Sequence, residues 1–287
     1  MPISRRQLLP TFAAASLSLT FPAYAEQQIS ERFLGLLLEV QSNDEETEFA
    51  REENEAKQIA DLLGVIRGPM PKVAPSRRVL SSRASDLIIF CEITSRDVYT
   101  RKYDHPIWPK GASGITVGIG YDIGYVDDET LRNDWQAFIS HDDIEVLVRV
   151  CGFTRDRAKD ALHLVRQVKI PWEKAISQYK EILEPKYTAL TEQSLENTAS
   201  LTPDSLGALV SLTYNRGASF GIPQSQDPSG RYKEMRSIRR HMRDSNFAAI
   251  PSEIRSMTRL WEGKPNSAGL LRRRELEALL FELGLQS

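Results

Sequence analysis

The sequence predicts a mainly helical α+β protein with one small sheet near its start, and three observations carry that prediction. Between Gly114 and Tyr125 the apolar residues Ile115, Val117, Ile119, Tyr121 and Ile123 recur with a period of two, the spacing of a strand with one buried face. From Asp127 onward the apolar residues recur at helical spacing instead. The length of 287 residues, 41% hydrophobic and 26% charged, suits one main soluble domain plus an appendage, and no internal repeat breaks that reading.

The strand-like stretch has an unusual second face made of Thr116, Gly118, Gly120 and Asp122. Fully extended, it would hold Thr116 and Asp122 roughly 20 Å apart. A reversal through Gly118-Ile119-Gly120 makes them cross-strand neighbours about 5 Å apart. The result is an open floor with a hydroxyl and a carboxylate, suited to a sugar ring or another extended polymer. A plain structural hairpin is the competing reading. Dinucleotide binding fits poorly, because the third glycine, Gly124, comes one position late and no suitable helix follows.

At the start, Arg5 and Arg6 precede an apolar run from Leu8 to Pro22, and Ala23-Tyr24-Ala25 offers a small-x-small cleavage site. Residues 1–25 therefore read as a twin-arginine-like export signal, with the mature protein periplasmic or secreted. Residues 26–80 read as a helical extension closed by the proline-rich linker around Gly68-Pro69-Met70-Pro71, and residues 81–287 as the main domain. The formal charge is −2, but acids crowd Asp44 to Glu55 while arginines crowd Arg231 to Arg274. That polarity suggests an extension lying across the main domain; a plain spacer is the alternative. A basic face could serve an anionic wall polymer, and no nucleic-acid module is present to make it a DNA or RNA surface. Cys91, in an apolar run, reads as a buried thiol, and two cysteines make no disulfide framework. His105, His141, His163 and His241 are scattered, so neither a metal nor another cofactor is implied.

Along the main domain, Ser82 or Ser85 caps a short helix through Leu87, Ile88 and Cys91 that ends at Glu92-Ile93. Glu92 is a lone acid in an apolar run. Apolar surroundings and a helix C-terminus both favour a protonated carboxyl, the state a general acid requires. A strand with Glu92 facing solvent fits the local sequence equally. Arg96 to Ser113 reads as loop, containing Tyr99, Asp104 and Trp108. Helices then follow from about Asp127, Asp142, Ala158 and Trp172. Another runs from Pro203-Asp204 to the stop at Asn215-Arg216-Gly217, and the last three start near Arg231, Pro251 and Gly269.

These motifs together resemble the phage-type lysozyme family. Glu92 at a helix end, Tyr99 seven residues on, and Thr116-Val117-Gly118-Ile119-Gly120 match that family's order of catalytic Glu, Tyr and Thr-x-Gly-x-Gly hairpin. Leu212-Thr213-Tyr214-Asn215-Arg216-Gly217 is similar to its apolar helix ending in aromatic-Asn-x-Gly. Gly269-Leu270, Arg273-Arg274 and Glu277 are similar to its closing helix. Arg101 stands where the family carries its second carboxylate, and Tyr121 where it carries a His. In both respects the chain looks closer to the pesticin-like branch, in which the Asp six residues after the Thr is the second carboxylate; here that is Asp122, with Asp104 the runner-up.

The resemblance implies a two-lobed lysozyme-like fold and an exported muramidase acting on peptidoglycan as a monomer. Glu92 would be the proton donor, Asp122 the charge-stabilising carboxylate and Thr116 the residue positioning water. Tyr99, Trp108 and Tyr121 would be the aromatics available to stack on sugar. Lytic transglycosylation and non-catalytic peptidoglycan binding are the rival functions, and an immunity or inhibitor protein is a partner to expect of a toxin with this chemistry. The export reading is tested by N-terminal sequencing, which should find the chain outside the cytoplasm beginning at Glu26. R5K/R6K should block export if the route is the twin-arginine one, and a full-length cytosolic chain would contradict both routes.

Overall fold

The computed structural model describes residues 21–45 and 73–286, with side chains from Ala25 onward. The part of the expected export signal before Phe21 and the proline-rich linker lie outside the described residues. In chain order the helices of seven or more residues begin with α1 (Phe21–Ser42), α2 (Ser82–Ile93) and α3 (Arg96–Lys102). Strands β1 (Thr116–Val117) and β2 (Tyr121–Asp122) follow. Next come α4 (Asp128–Trp135), α5 (His141–Val148), α6 (Arg155–Ala161), α7 (Trp172–Gln178) and α8 (Glu184–Ser194). The chain closes with α9 (Pro203–Arg216), α10 (Lys233–Arg243), α11 (Ile250–Ser256) and α12 (Ala268–Gln286). The expected mainly helical α+β architecture with one small antiparallel sheet is what the chain adopts.

One device starts many of these helices. The side-chain oxygens of Ser81, Ser95, Asp127, Ser140 and Thr202 each accept from the backbone N–H three residues ahead, satisfying a donor the helix itself leaves unpaired. Ser81, one residue before the expected Ser82, is thus the cap of α2. Ser95 caps α3, so residues 96–102 are a helix and not the loop expected there; Asp97 in its first turn and Arg101 and Lys102 in its last suit the helix dipole. The helix expected from Trp172 does not stop before Pro185. It passes through a π-helical turn at Tyr179–Leu183 into α8, and the loosened bonding there accommodates Pro185.

The core is organised around α9, whose residues from Asp204 to Arg216 are all buried between α2, α8 and α12. Gly207 lets α2 approach: a Cβ built there would lie 2.2 Å from the Ala84 methyl. The start of the 26–80 segment belongs to the same core. Phe33, Leu37 and Val40 of α1 are buried against it, and α1 lies along α12 with Arg32 paired to Glu275 (2.9 Å) and Glu39 to Arg272 (3.0 Å). Asp44, just past α1, pairs with Lys102 of α3. In its described part, then, the extension is a packed element and not a spacer. Cys91 and Cys151 are free thiols, both pushed up to about 12, chiefly by burial.

Packing at the α2–α9 crossing generates a stability prediction. Gly207→Ala forces the Ala84 methyl and its helix aside, so urea unfolding should show a loss of about 1–3 kcal/mol. An unchanged midpoint would mean the two helices are not in contact there.

Candidate active site

The hairpin forms as the glycine pattern predicts. β1 and β2 pair antiparallel with Thr116 opposite Asp122 and Val117 opposite Tyr121. Gly118 (φ 58°) and Gly120 (φ 72°) take the left-handed conformations that reverse the chain. Ile107 adds a third short rung, pairing with Thr116 through backbone bonds of 3.0 and 2.8 Å. Side chains alternate along such a ribbon, so Ile107, Thr116 and Asp122 share one face.

Glu92 sits in the last turn of α2, 4% exposed, so the alternative of a solvent-facing strand residue is excluded. Nor is it alone. Arg273 of α12 donates from Nη1 to Glu92 Oε1 at 2.8 Å across 181 residues of chain. The other carboxylate oxygen points at the hairpin, with Oε2 3.2 Å from where a Gly120 Cβ would stand. Among the described residues no group donates a hydrogen bond to it. Behind the pair, Ser211 Oγ donates to Glu277 Oε1 (2.6 Å), and Arg274 Nη2 donates to Glu277 Oε1 (2.9 Å) and Asn215 Oδ1 (3.0 Å). Two carboxyl groups and two guanidinium groups are thus buried together. Burial works against the Arg273 cation, but Glu92 and the neighbouring acids more than offset it and hold the group above its usual range. Just past Glu92, Thr94 caps α2 at φ 64°, a strained conformation for a β-branched residue.

Three tyrosines close the space between Glu92 and the hairpin. Tyr214 of α9 donates from its hydroxyl to Ile119 O at 2.5 Å and packs against Tyr187 of α8 with ring centroids 4.3 Å apart and planes tilted by 41°, with Tyr179 edge-on at 6.0 Å. Burial raises the Tyr187 phenol, followed by the charges of Glu92 and then Asp122. Both carboxylates therefore act electrostatically on the same phenol. Tyr187 is half-buried, which makes it the aromatic of this group available to a ligand.

Thr116 is 4% exposed, and its hydroxyl has no hydrogen-bond partner among the described residues. Asp122 is tied at both ends of its carboxylate: Oδ1 accepts from Gly124 N (2.9 Å) and Oδ2 from Gly114 N (3.1 Å). Asp104, the runner-up, faces the Lys169 ammonium at 3.2 Å and the His105 ring, with Nε2 at 3.8 Å.

Two of the three expected sugar-stacking aromatics are corrected. Tyr99 is fully buried, its hydroxyl donating to Ile170 O (2.8 Å) and its ring packed edge-on against Trp172. Tyr121 is 3% exposed, bonded to Asp134 (2.9 Å) and edge-on to Trp135. Both rings are core, with their polar ends satisfied inside. Trp108 is half-buried and lines an open groove of about 480 Å³ with Pro106, Ile107 and Leu162. Ile107, which pairs with Thr116 along the ribbon, lines the same groove. Tyr187 and the Arg273 partner were missed. The first is one tyrosine in an ordinary helix; the second was signalled only by the Arg273-Arg274 motif.

The ion pair makes its own prediction. Arg273→Met leaves two buried carboxylates short of a partner and should cost about 3–5 kcal/mol in urea unfolding. Glu92→Gln, whose amide oxygen still accepts from Arg273, should cost much less. The double variant should recover part of the loss, and strict additivity would mean the two side chains do not interact.

No protein-family model matches the chain, and no curated protein matches it.

Proposed function

We propose that this chain is an exported peptidoglycan hydrolase, a muramidase in which Glu92 protonates the leaving glycosidic oxygen. One juxtaposition carries the reading: Glu92 has one oxygen anchored on Arg273 and the other aimed at Gly120 of the glycine hairpin. Lacking a side chain at Gly120, the hairpin lets that oxygen approach its backbone directly: a Cβ there would stand 3.2 Å from both Glu92 Oε2 and the Tyr214 hydroxyl. Anchoring one oxygen fixes the rotamer, so a proton on Oε2 is delivered from a defined point. Thr116, with a buried hydroxyl lacking a partner in the protein, is suited to hold the attacking water.

Asp122 supplies negative charge close to where the sugar carbon becomes positive. With each of its oxygens already accepting an amide N–H, it is suited to stabilising charge without leaving its place. A nucleophile would have to surrender one of those bonds. Tyr187, whose phenol both carboxylates act on, offers a ring face to the sugar.

Digestion of purified peptidoglycan followed by mass spectrometry tests the reaction. Reducing ends are expected; anhydro ends would make the protein a transglycosylase, and no fragments a binder. Glu92→Gln should lower cleavage by about a thousandfold or more while peptidoglycan binding persists. Asp122→Asn should cost about a hundredfold or more, and Thr116→Ala less than either. Asp104→Asn should leave the rate within a factor of about two, because its partners are Lys169 and His105. A dead Asp104→Asn beside an active Asp122→Asn would reverse the assignment of the second carboxylate. Wild-type rates in Glu92→Gln would overturn the mechanism.

A further inference from the structure

The late arginines read as a basic face in the sequence, yet most are consumed inside the fold. Arg236 closes on Asp227 (2.7 Å), Arg255 on Glu275 (2.8 Å) and Arg259 on Glu234 (2.6 Å). Arg272, Arg273 and Arg274 pair with Glu39, Glu92 and Glu277, and Arg243 with its neighbour Asp244. Arg239 and Arg240 differ: among the described residues neither has a carboxylate within 4.0 Å. Both are exposed on α10, and both line a groove of about 400 Å³.

The groove runs between α10 and the segment after α9. Ile222 and Pro223 give it an apolar wall, Arg236 and Arg243 stand at its ends, and Glu196 is the one acid on its lining. Residues 236 and 240, and 239 and 243, are each four apart, which sets the arginines in two rows whose members lie about 6 Å apart along the helix axis. Asp227 and Asp244 offset Arg236 and Arg243, which leaves Arg239 and Arg240 as the members of the rows whose repulsion no carboxylate within 4.0 Å relieves. Relief of the helix dipole does not account for them either. The last carbonyls of α10, at Met242 and Arg243, already accept from Asn197 Nδ2 at 2.9 and 3.1 Å. Arg239 is also placed with care: its Nη1 lies 3.0 Å from where a Gly221 Cβ would stand, so a side chain at 221 would displace it.

We propose that this groove is a second binding site, for the oxyanions of a bacterial wall polymer, distinct from the site at Glu92. Guanidinium groups in rows match carboxylates or phosphates that recur along an extended chain, and each can engage one in two parallel bonds. The inference rests on the reading of the chain as a protein of the cell wall. Its function is retention: the groove holds the enzyme on insoluble wall material while the catalytic site works on uncharged sugar rings. The carboxylates of glycan-linked peptides and the phosphates of wall-attached polyphosphate polymers share the required chemistry.

The test is co-sedimentation of the purified full chain with insoluble wall sacculi over a range of salt. R239Q/R240Q should bind about tenfold more weakly at low salt, with the difference fading as salt screens the charges. Its melting temperature should equal or exceed that of the wild type, since two unpaired cations on an exposed face are removed. Amidating the wall carboxylates should abolish the wild-type advantage if peptides supply the anion; stripping the phosphate polymers should do so if they supply it. Equal binding of wild type and variant to untreated sacculi at low salt would overturn the proposal. Cleavage measured on the same sacculi is scored separately. A wild type that binds through the groove but releases no fragments would defeat the muramidase reading and leave the groove standing.

Discussion

The buried cluster of Glu92, Arg273, Arg274 and Glu277 is the constraint that the helical part of the molecule depends on. Ionisable groups taken out of water cost several kcal/mol each when charged, and their mutual attraction offsets this only when geometry and hydrogen bonding are good. Here α2 contributes one member, α12 contributes three, and Ser211 and Asn215 of α9 bond to them from between. The three helices cannot slide past one another without breaking a charged contact. Apolar side chains of the same volume would hold them together at least as well. The gain from using charge instead is positional: one carboxylate oxygen at the end of α2 is pinned and the other is left to face the hairpin.

How far the sequence discloses this differs from part to part, and range along the chain explains the difference. Local signals were legible. The period-two pattern with Gly118 and Gly120 encoded the reversal that sets Thr116 opposite Asp122, because a turn and its register are decided within a dozen residues. Pro203 and Gly217 likewise bracket α9 as read. Weak local signals failed. α3 is only seven residues long, with a cap at Ser95 but no apolar stripe to announce it, and Pro185 hid the continuity of α7 and α8. Long-range facts were not legible by any pattern. An apolar run around Glu92 announces burial but cannot show that a guanidinium from position 273 enters it. Tyr99 and Tyr121 are as aromatic as any sugar-stacking ring, and only the fold reveals that Ile170 and Asp134 already hold their hydroxyls.

The same distinction governs the extension. Phe33, Leu37 and Val40 mark a helix with an apolar face, and such a face must be covered by something. The covering surface is α12, the far end of the chain, where Glu275 and Arg272 present the charges that Arg32 and Glu39 meet. Surface pairs of that kind add little stability and instead fix which way α1 lies. Since α12 also carries Arg273, a helix from one end of the chain braces the helix that holds Glu92 in place.

The two carboxylates that act on Tyr187 are held in opposite ways, and that contrast divides their chemical roles. A group that passes a proton to a substrate needs one atom held still and another free to meet the leaving oxygen. Glu92 has that arrangement, with Oε1 on Arg273 and Oε2 toward Gly120. A group that only stabilises charge works best if it does not move at all, because reorganisation during the reaction would be paid out of the barrier. Asp122 meets that need: Gly114 N and Gly124 N grip its two oxygens from either side, and they lie on the strand entering the hairpin and the turn leaving it. Glycine at 114 is required for the grip, since a Cβ there would lie 2.3 Å from Asp122 Oδ1. The backbone that shapes the hairpin is therefore also what immobilises its carboxylate, and the polar face read from the sequence is one unit of structure and chemistry.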